Sequence, residues 1–175
     1  MGAWGAIIMS FFGALFAAIT LHWQFHVAGP LLALPFLGFA AIGLGAAYVV
    51  RQPGTGLEPS PKAARMITIS SIGEGVGLFI ASNLVVNLHH EAWLLPAMAL
   101  VVGLHFIPIA HAAAFRPFYA LGGGLIIGAL AGFVIPAPTG GAISGFLAVI
   151  CLWIAASAAL WRDARFRRAS LAATA

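Results

Sequence analysis

Residues 142–161, AISGFLAVICLWIAASAALW, carry no charged side chain and run straight into RDARFRR at 162–168. A helix rising ~1.5 Å per residue needs about 20 apolar residues to cross the ~30 Å hydrocarbon core of a bilayer. The stretch has that length, and the arginines behind it suit anionic headgroups. It therefore reads as a membrane-spanning helix continued by a basic tail.

The same pattern recurs on the N-terminal side of this stretch. Apolar runs bounded by polar, proline or glycine residues lie at about 3–21, 31–50, 66–87, 92–114 and 118–136, making six spans with 142–161. Across all 175 residues, 62% are hydrophobic and 7% charged, with a mean hydropathy of +1.06. Soluble domains are about 25% charged. Six spans take up about 120 residues, which leaves no room for a tethered catalytic domain. The runs are continuous rather than alternating, so an all-α bundle is expected and a barrel is not. The chain thus reads as a single six-helix transmembrane domain over residues 1–161 and a basic tail over 162–175. No basic region precedes the first apolar run, so it is expected to be a retained span in a mature chain beginning near Met1.

Charge placement gives the direction. Arg51, Lys62 and Arg65 fall in the second connection, Arg116 in the fourth, and Arg162, Arg165, Arg167 and Arg168 in the tail, while the other connections carry no basic residue. The positive-inside rule then predicts a multi-pass protein of the cytoplasmic membrane with both termini in the cytoplasm. Trp4, Tyr48, Tyr119 and Trp161 fall near that boundary and Trp23 and Trp93 near the opposite one, as interfacial aromatics should. Only Trp153 falls deep.

Several chemistries drop out. The net charge is +4, but there are only 8 Lys and Arg and no long basic run before the tail, so nucleic acid is not an expected partner. Cys151 is the single cysteine, which excludes an intrachain disulfide, a cysteine metal cluster and dithiol chemistry. The single lysine, Lys62, lies in a loop, which argues against a retinal Schiff base. The run GEGVG at 73–77 lacks the G-x-G-x-x-G spacing and a preceding strand, so it is not read as a phosphate loop.

Small residues four apart let membrane helices approach closely. Gly73, Gly77 and Ala81, then Gly124, Gly128 and Gly132, then Gly141 and Gly145 have this spacing and predict helix seams. Those seams could be satisfied within the chain, in a homo-oligomer, or by partner membrane helices. Three helical hairpins also overlay loosely, VVRQP at 49–53 against AFRP at 114–117, a weak trace of a two-helix repeat.

Glu74 is the one acidic residue inside a predicted span. A lone carboxylate at that depth is costly unless paired or hydrated, so it should face the interior. Ser70 and Ser71 precede it by four and three residues, on the same face, where their hydroxyls could bond the carboxyl. His105 lies on the antiparallel fourth span. Counting from the boundary puts Glu74 about 12 Å and His105 about 15 Å deep. The pair suits a proton- or cation-coupled pathway; the alternative is structural glue. Pro108 leaves the Leu104 carbonyl, beside His105, without its helical partner. Asn83 and Asn87 share a face about half a turn from Glu74 and are expected either to line a passage or to bond across helices.

On the far side, His22, His26, His89, His90 and Glu91 are suitable ligands for a divalent transition metal. If the first helix passes residue 26, His22 and His26 form an i,i+4 chelate. No pair of in-span histidines stands out as haem ligands. Ser144, in GGAISGF, has the place of a nucleophile near the outer histidines, but small-residue packing is the favoured account of it, and an enzyme is the less expected reading. The first expectation is a transporter or channel for a small solute or cation, centred on Glu74 and His105. The alternatives are a non-transporting scaffold or accessory subunit, and a metal-binding or sensing protein.

Overall fold

A computed structural model describes residues 2–173. Six helices run through it: α1 (Ala3–Phe25), α2 (Pro35–Arg51), α3 (Pro61–Asn87), α4 (Leu94–Ala112), α5 (Pro117–Val134) and α6 (Thr139–Ala172). Short 3-10 turns, Gly29–Ala33 and Glu91–Trp93, lead into α2 and α4. With those turns included, all six are long and apolar enough to cross a membrane, and no strand occurs among the described residues.

Local chemistry sets the ends. Pro35, Pro61 and Pro117 open α2, α3 and α5, where a missing N–H costs nothing. Ser60 caps α3, its Oγ accepting from the Ala63 N–H at 3.3 Å. The sixth helix does not stop at residue 161 but continues through the arginines to Ala172, because no glycine or proline interrupts that stretch.

The core is built by α1, α4, α5 and α6, where Phe16, Leu95, Ile109, Phe118, Leu125 and Leu152 are buried. The most extensive helix packing is α1 on α6 and α4 on α5. In contrast, α2 lies on α1 and α6 and buries only Ala46 and Val49, while α3 lies along α4 and buries only Ala63 and Val85.

Most of the expected seam glycines meet a neighbouring helix. A Cβ at Gly77 would lie 2.9 Å from Val101, at Gly124 2.9 Å from Cys151, at Gly128 2.9 Å from Leu147, and at Gly132 2.7 Å from Pro96. Gly141 faces Gln24 at 2.7 Å and Gly145 faces the Cβ of Thr20 at 3.0 Å. Gly73 differs from the expectation. A Cβ there meets nothing within 4 Å, because α3 meets α4 along the Gly77 edge and Gly73 borders an open groove. One backbone-to-backbone crossing is not revealed by the four-residue spacing: a Cβ on Gly122 would lie 2.8 Å from the Gly103 carbonyl oxygen, and one on Gly103 3.0 Å from that of Gly122. Ser144 is buried in a seam, its hydroxyl donating to the Gly128 carbonyl at 2.7 Å. Trp153 is half-buried and its Nε1 donates to the Ser10 carbonyl at 3.1 Å.

One end of the bundle is fastened by α6. Asp163, 3% exposed, accepts from the Ala3 N–H through Oδ2 at 2.9 Å and from the Leu57 N–H through Oδ1 at 2.9 Å. Arg167 lies one turn on, its Nε 3.8 Å from Asp163 Oδ1. Its Nη1 donates to the carbonyls of Val50, Gln52 and Gly54 at 3.4, 3.2 and 3.2 Å. Arg162 lies over the Phe115 ring, 4.6 Å from its centroid. The start of α1, the α2–α3 loop, the α4–α5 turn and the end of α6 therefore meet at one basic end.

Candidate functional site

Glu74 on α3 and His105 on α4 face each other, Oε2 to Nε2 at 3.4 Å, with side chains 14% and 7% exposed. His105 Nδ1 lies 2.9 Å from the Ser70 carbonyl oxygen. A carbonyl can only accept, so Nδ1 carries a hydrogen, and in the neutral ring Nε2 presents its lone pair to Glu74. The pair is thus arranged to hold one proton, either on the carboxyl or on the ring. Ser70 enters the site through its carbonyl rather than through the hydroxyl expected from sequence, and Ser71 borders the adjoining hollow.

That hollow, about 120 Å³, lies between α1, α3 and α4 over Leu152 of α6. Its walls are Gly5, Ile8, Met9 and Phe12 from α1, Ile67, Ser71 and Glu74 from α3, and Val102, His105 and Phe106 from α4. Gly5, Ile8 and Ile67 also border a larger hollow of about 410 Å³ at the basic end, which reaches Leu57, Glu58, Asp163 and Arg167. The two hollows adjoin at these three residues, between α1 and α3, and together extend from the basic end to Glu74. On the other flank of the pair, a groove lined by Ser70, Gly73, Gly77, Leu104 and Pro108 runs between α3 and α4. Pro108 has no N–H for the Leu104 carbonyl, so a spare acceptor lies beside that groove.

The remaining candidates lie elsewhere. Asn83 and Asn87 are on the exposed side of α3, Asn83 donating to the Phe79 carbonyl of its own helix at 2.8 Å, and neither borders the hollows around Glu74. His111 is exposed and borders a separate hollow with Ser60, Lys62 and Met66. At the far end α1 stops at Phe25, and His26 turns left-handed at φ 55°. The condition for an i,i+4 chelate with His22 is therefore not met, and His22 Nδ1 instead lies 3.1 Å from the Val27 carbonyl oxygen. His89 is also left-handed, at φ 56°, and His90 stacks on Trp93 with centroids 4.6 Å apart. His26 and Glu91 border one hollow of about 370 Å³. Among the described residues, no three His, Cys, Asp or Glu side chains gather to hold a metal ion.

Sequence reasoning missed Asp163 and Arg167. Their i,i+4 spacing was visible, but an acid among arginines reads as headgroup chemistry rather than as a buried clasp. No family model, curated protein or solved structure matches this chain.

Proposed function

We propose that this chain is a transporter of the cytoplasmic membrane that moves a small solute or cation, with Glu74 and His105 as its buried polar centre. The observation that carries the reading is the two adjoining hollows, read as one cleft from the basic end to Glu74. A buried acid–base pair serving only as glue gains nothing from a hollow beside it, and a path to an aqueous end makes its proton exchangeable. The pair has two arrangements, proton present or absent, which is what coupling requires. The basic end, with both termini, lies in the cytoplasm by the positive-inside rule.

The test is flux in proteoliposomes with a pH-sensitive dye inside and a panel of cations and small metabolites outside. Wild-type protein acidifies or alkalinises the lumen with at least one solute, and Glu74→Gln, which keeps the shape and removes the titratable proton, does not. Flux that persists in a folded Glu74→Gln protein overturns the assignment.

A second reading has its own support: α3 buries little of itself and exposes Asn83 and Asn87, which suits an accessory subunit bonding partner helices or a second copy. It predicts no flux from either protein and co-purification of a partner that is lost in the double variant Asn83→Leu, Asn87→Leu.

A further inference from the structure

We propose that the hollow between α1, α3 and α4 binds a small alkylammonium ion in exchange for the one proton shared by Glu74 and His105. This deepens the transport reading and rests on it for passage of the ion across the membrane.

Charge decides that a cation is wanted. With Nδ1 committed to the Ser70 carbonyl, the pair has one proton to lose. Once it leaves, a carboxylate oxygen and an imidazole lone pair face each other at 3.4 Å with a net charge of −1 and no counter-charge. The other walls supply none: α1 contributes Gly5, Ile8, Met9 and Phe12, and α6 contributes Leu152. The next charged groups along the cleft, Glu58, Asp163 and Arg167, border the basic-end hollow, and His111 borders another.

Walls and size decide which cation. A metal cation the size of sodium or potassium gives up its hydration shell only to several oxygen ligands. Of the side chains that line the hollow, Glu74 and Ser71 carry oxygen, and the others are hydrocarbon, thioether or aromatic ring. An alkylammonium needs no oxygen cage. Its alkyl groups pack on Ile8, Met9 and Val102, and its charge is attracted to the carboxylate and to the Phe12 and Phe106 rings. An apolar cavity of about 150 Å³ takes benzene. The hollow of about 120 Å³ is open on one side, so a compact cation such as tetramethylammonium, somewhat bulkier than benzene, seats with part of its body in the mouth.

The exchange balances. The O–H bond of the Glu74 carboxyl, or the Nε2–H bond of the imidazolium, breaks; the proton passes to water along the cleft, and the ammonium charge replaces it. The site is neutral before and after. Proton and ammonium compete, so lowering the pH by one unit weakens apparent affinity by up to about tenfold.

The experiment uses the full chain in detergent micelles, weakly buffered, with a pH indicator and tetramethylammonium chloride as the probe. Wild-type protein releases protons saturably, approaching one per chain, whereas sodium chloride, potassium chloride and neutral tert-butanol release none. Glu74→Gln abolishes the release and Glu91→Gln, at the opposite end, leaves it intact. Phe12→Trp, which fills the hollow but keeps the carboxyl, raises the half-saturating concentration about tenfold and keeps the test decisive if Glu74→Gln does not fold. No saturable release, equal release with sodium, or release unchanged in both Glu74→Gln and Phe12→Trp overturns the proposal. Flux of another solute in vesicles without release here overturns the alkylammonium site and leaves transport standing. Release here without flux of any solute does the reverse.

Discussion

Asp163 is the most heavily committed acid in the molecule. Its oxygens serve two backbone N–H groups from distant parts of the chain and lie beside Arg167. Asp163→Ala leaves both donors unmet and the half-buried guanidinium without its counter-charge, so stability is expected to fall by about 3 kcal/mol, measured by thermal unfolding in detergent. Asp163→Asn keeps an acceptor and should lose about half as much. Ser144 makes a smaller contribution. Removing its hydroxyl in Ser144→Ala is expected to cost about 0.5–1 kcal/mol and to leave proteoliposome flux at the wild-type level, which separates a seam hydroxyl from a nucleophile. Glu74 could be found from sequence because it is the sole acid in an apolar run, whereas Asp163 could not, because its neighbours in sequence are charged and its burial comes from α1 and the α2–α3 loop. The tautomer of His105 follows from a carbonyl that only folding brings near.

Between helices, the crossing of α4 and α5 turns on two glycines that approach backbone to backbone. Gly122→Leu must push the helices apart, since a carbonyl cannot swing aside, and is expected to destabilise the protein by more than 2 kcal/mol, about the scale of an overpacked core. Gly123→Leu, next in sequence but facing open space, should be neutral or slightly stabilising through helix propensity. Gly128→Leu should fall between them, because the atom it meets is the end of the flexible Leu147 side chain. Unfolding of the three variants side by side checks the order. Helix number and approximate length were readable in the apolar runs, since bilayer thickness fixes them. The Gly103–Gly122 contact was not, because spacing along one helix says nothing of which glycine the neighbour offers.

Across the molecule, the transport reading has the two adjoining hollows join into a cleft from the basic end to Glu74. A cysteine at Ser71, in a Cys151→Ala background, should react with a bilayer-impermeant maleimide added on the side of the basic residues. Reaction should be several-fold slower in Ile67→Trp, because Ile67 lines both hollows. Equal labelling with and without the tryptophan would mean that water reaches Ser71 by the α3–α4 groove instead. Comparable depth for Glu74 and His105 could be counted from the boundaries, but the cleft depends on α3 leaning on α4 rather than sealing against α1, a choice of neighbours that no periodicity records.

The first helix packs most extensively on the last. A ribosome delivers them in the opposite relation, α1 ahead of the four helices between and α6 behind them, so while α2 to α5 are made α1 sits in the bilayer without its main partner. Packing of α6 on α1 and fastening of the Ala3 amide by Asp163 then come together, because the same helix supplies both. Quality control at the membrane would therefore meet a half-built chain with Ser10 and Thr20 facing lipid, and only the arrival of α6 removes that signal.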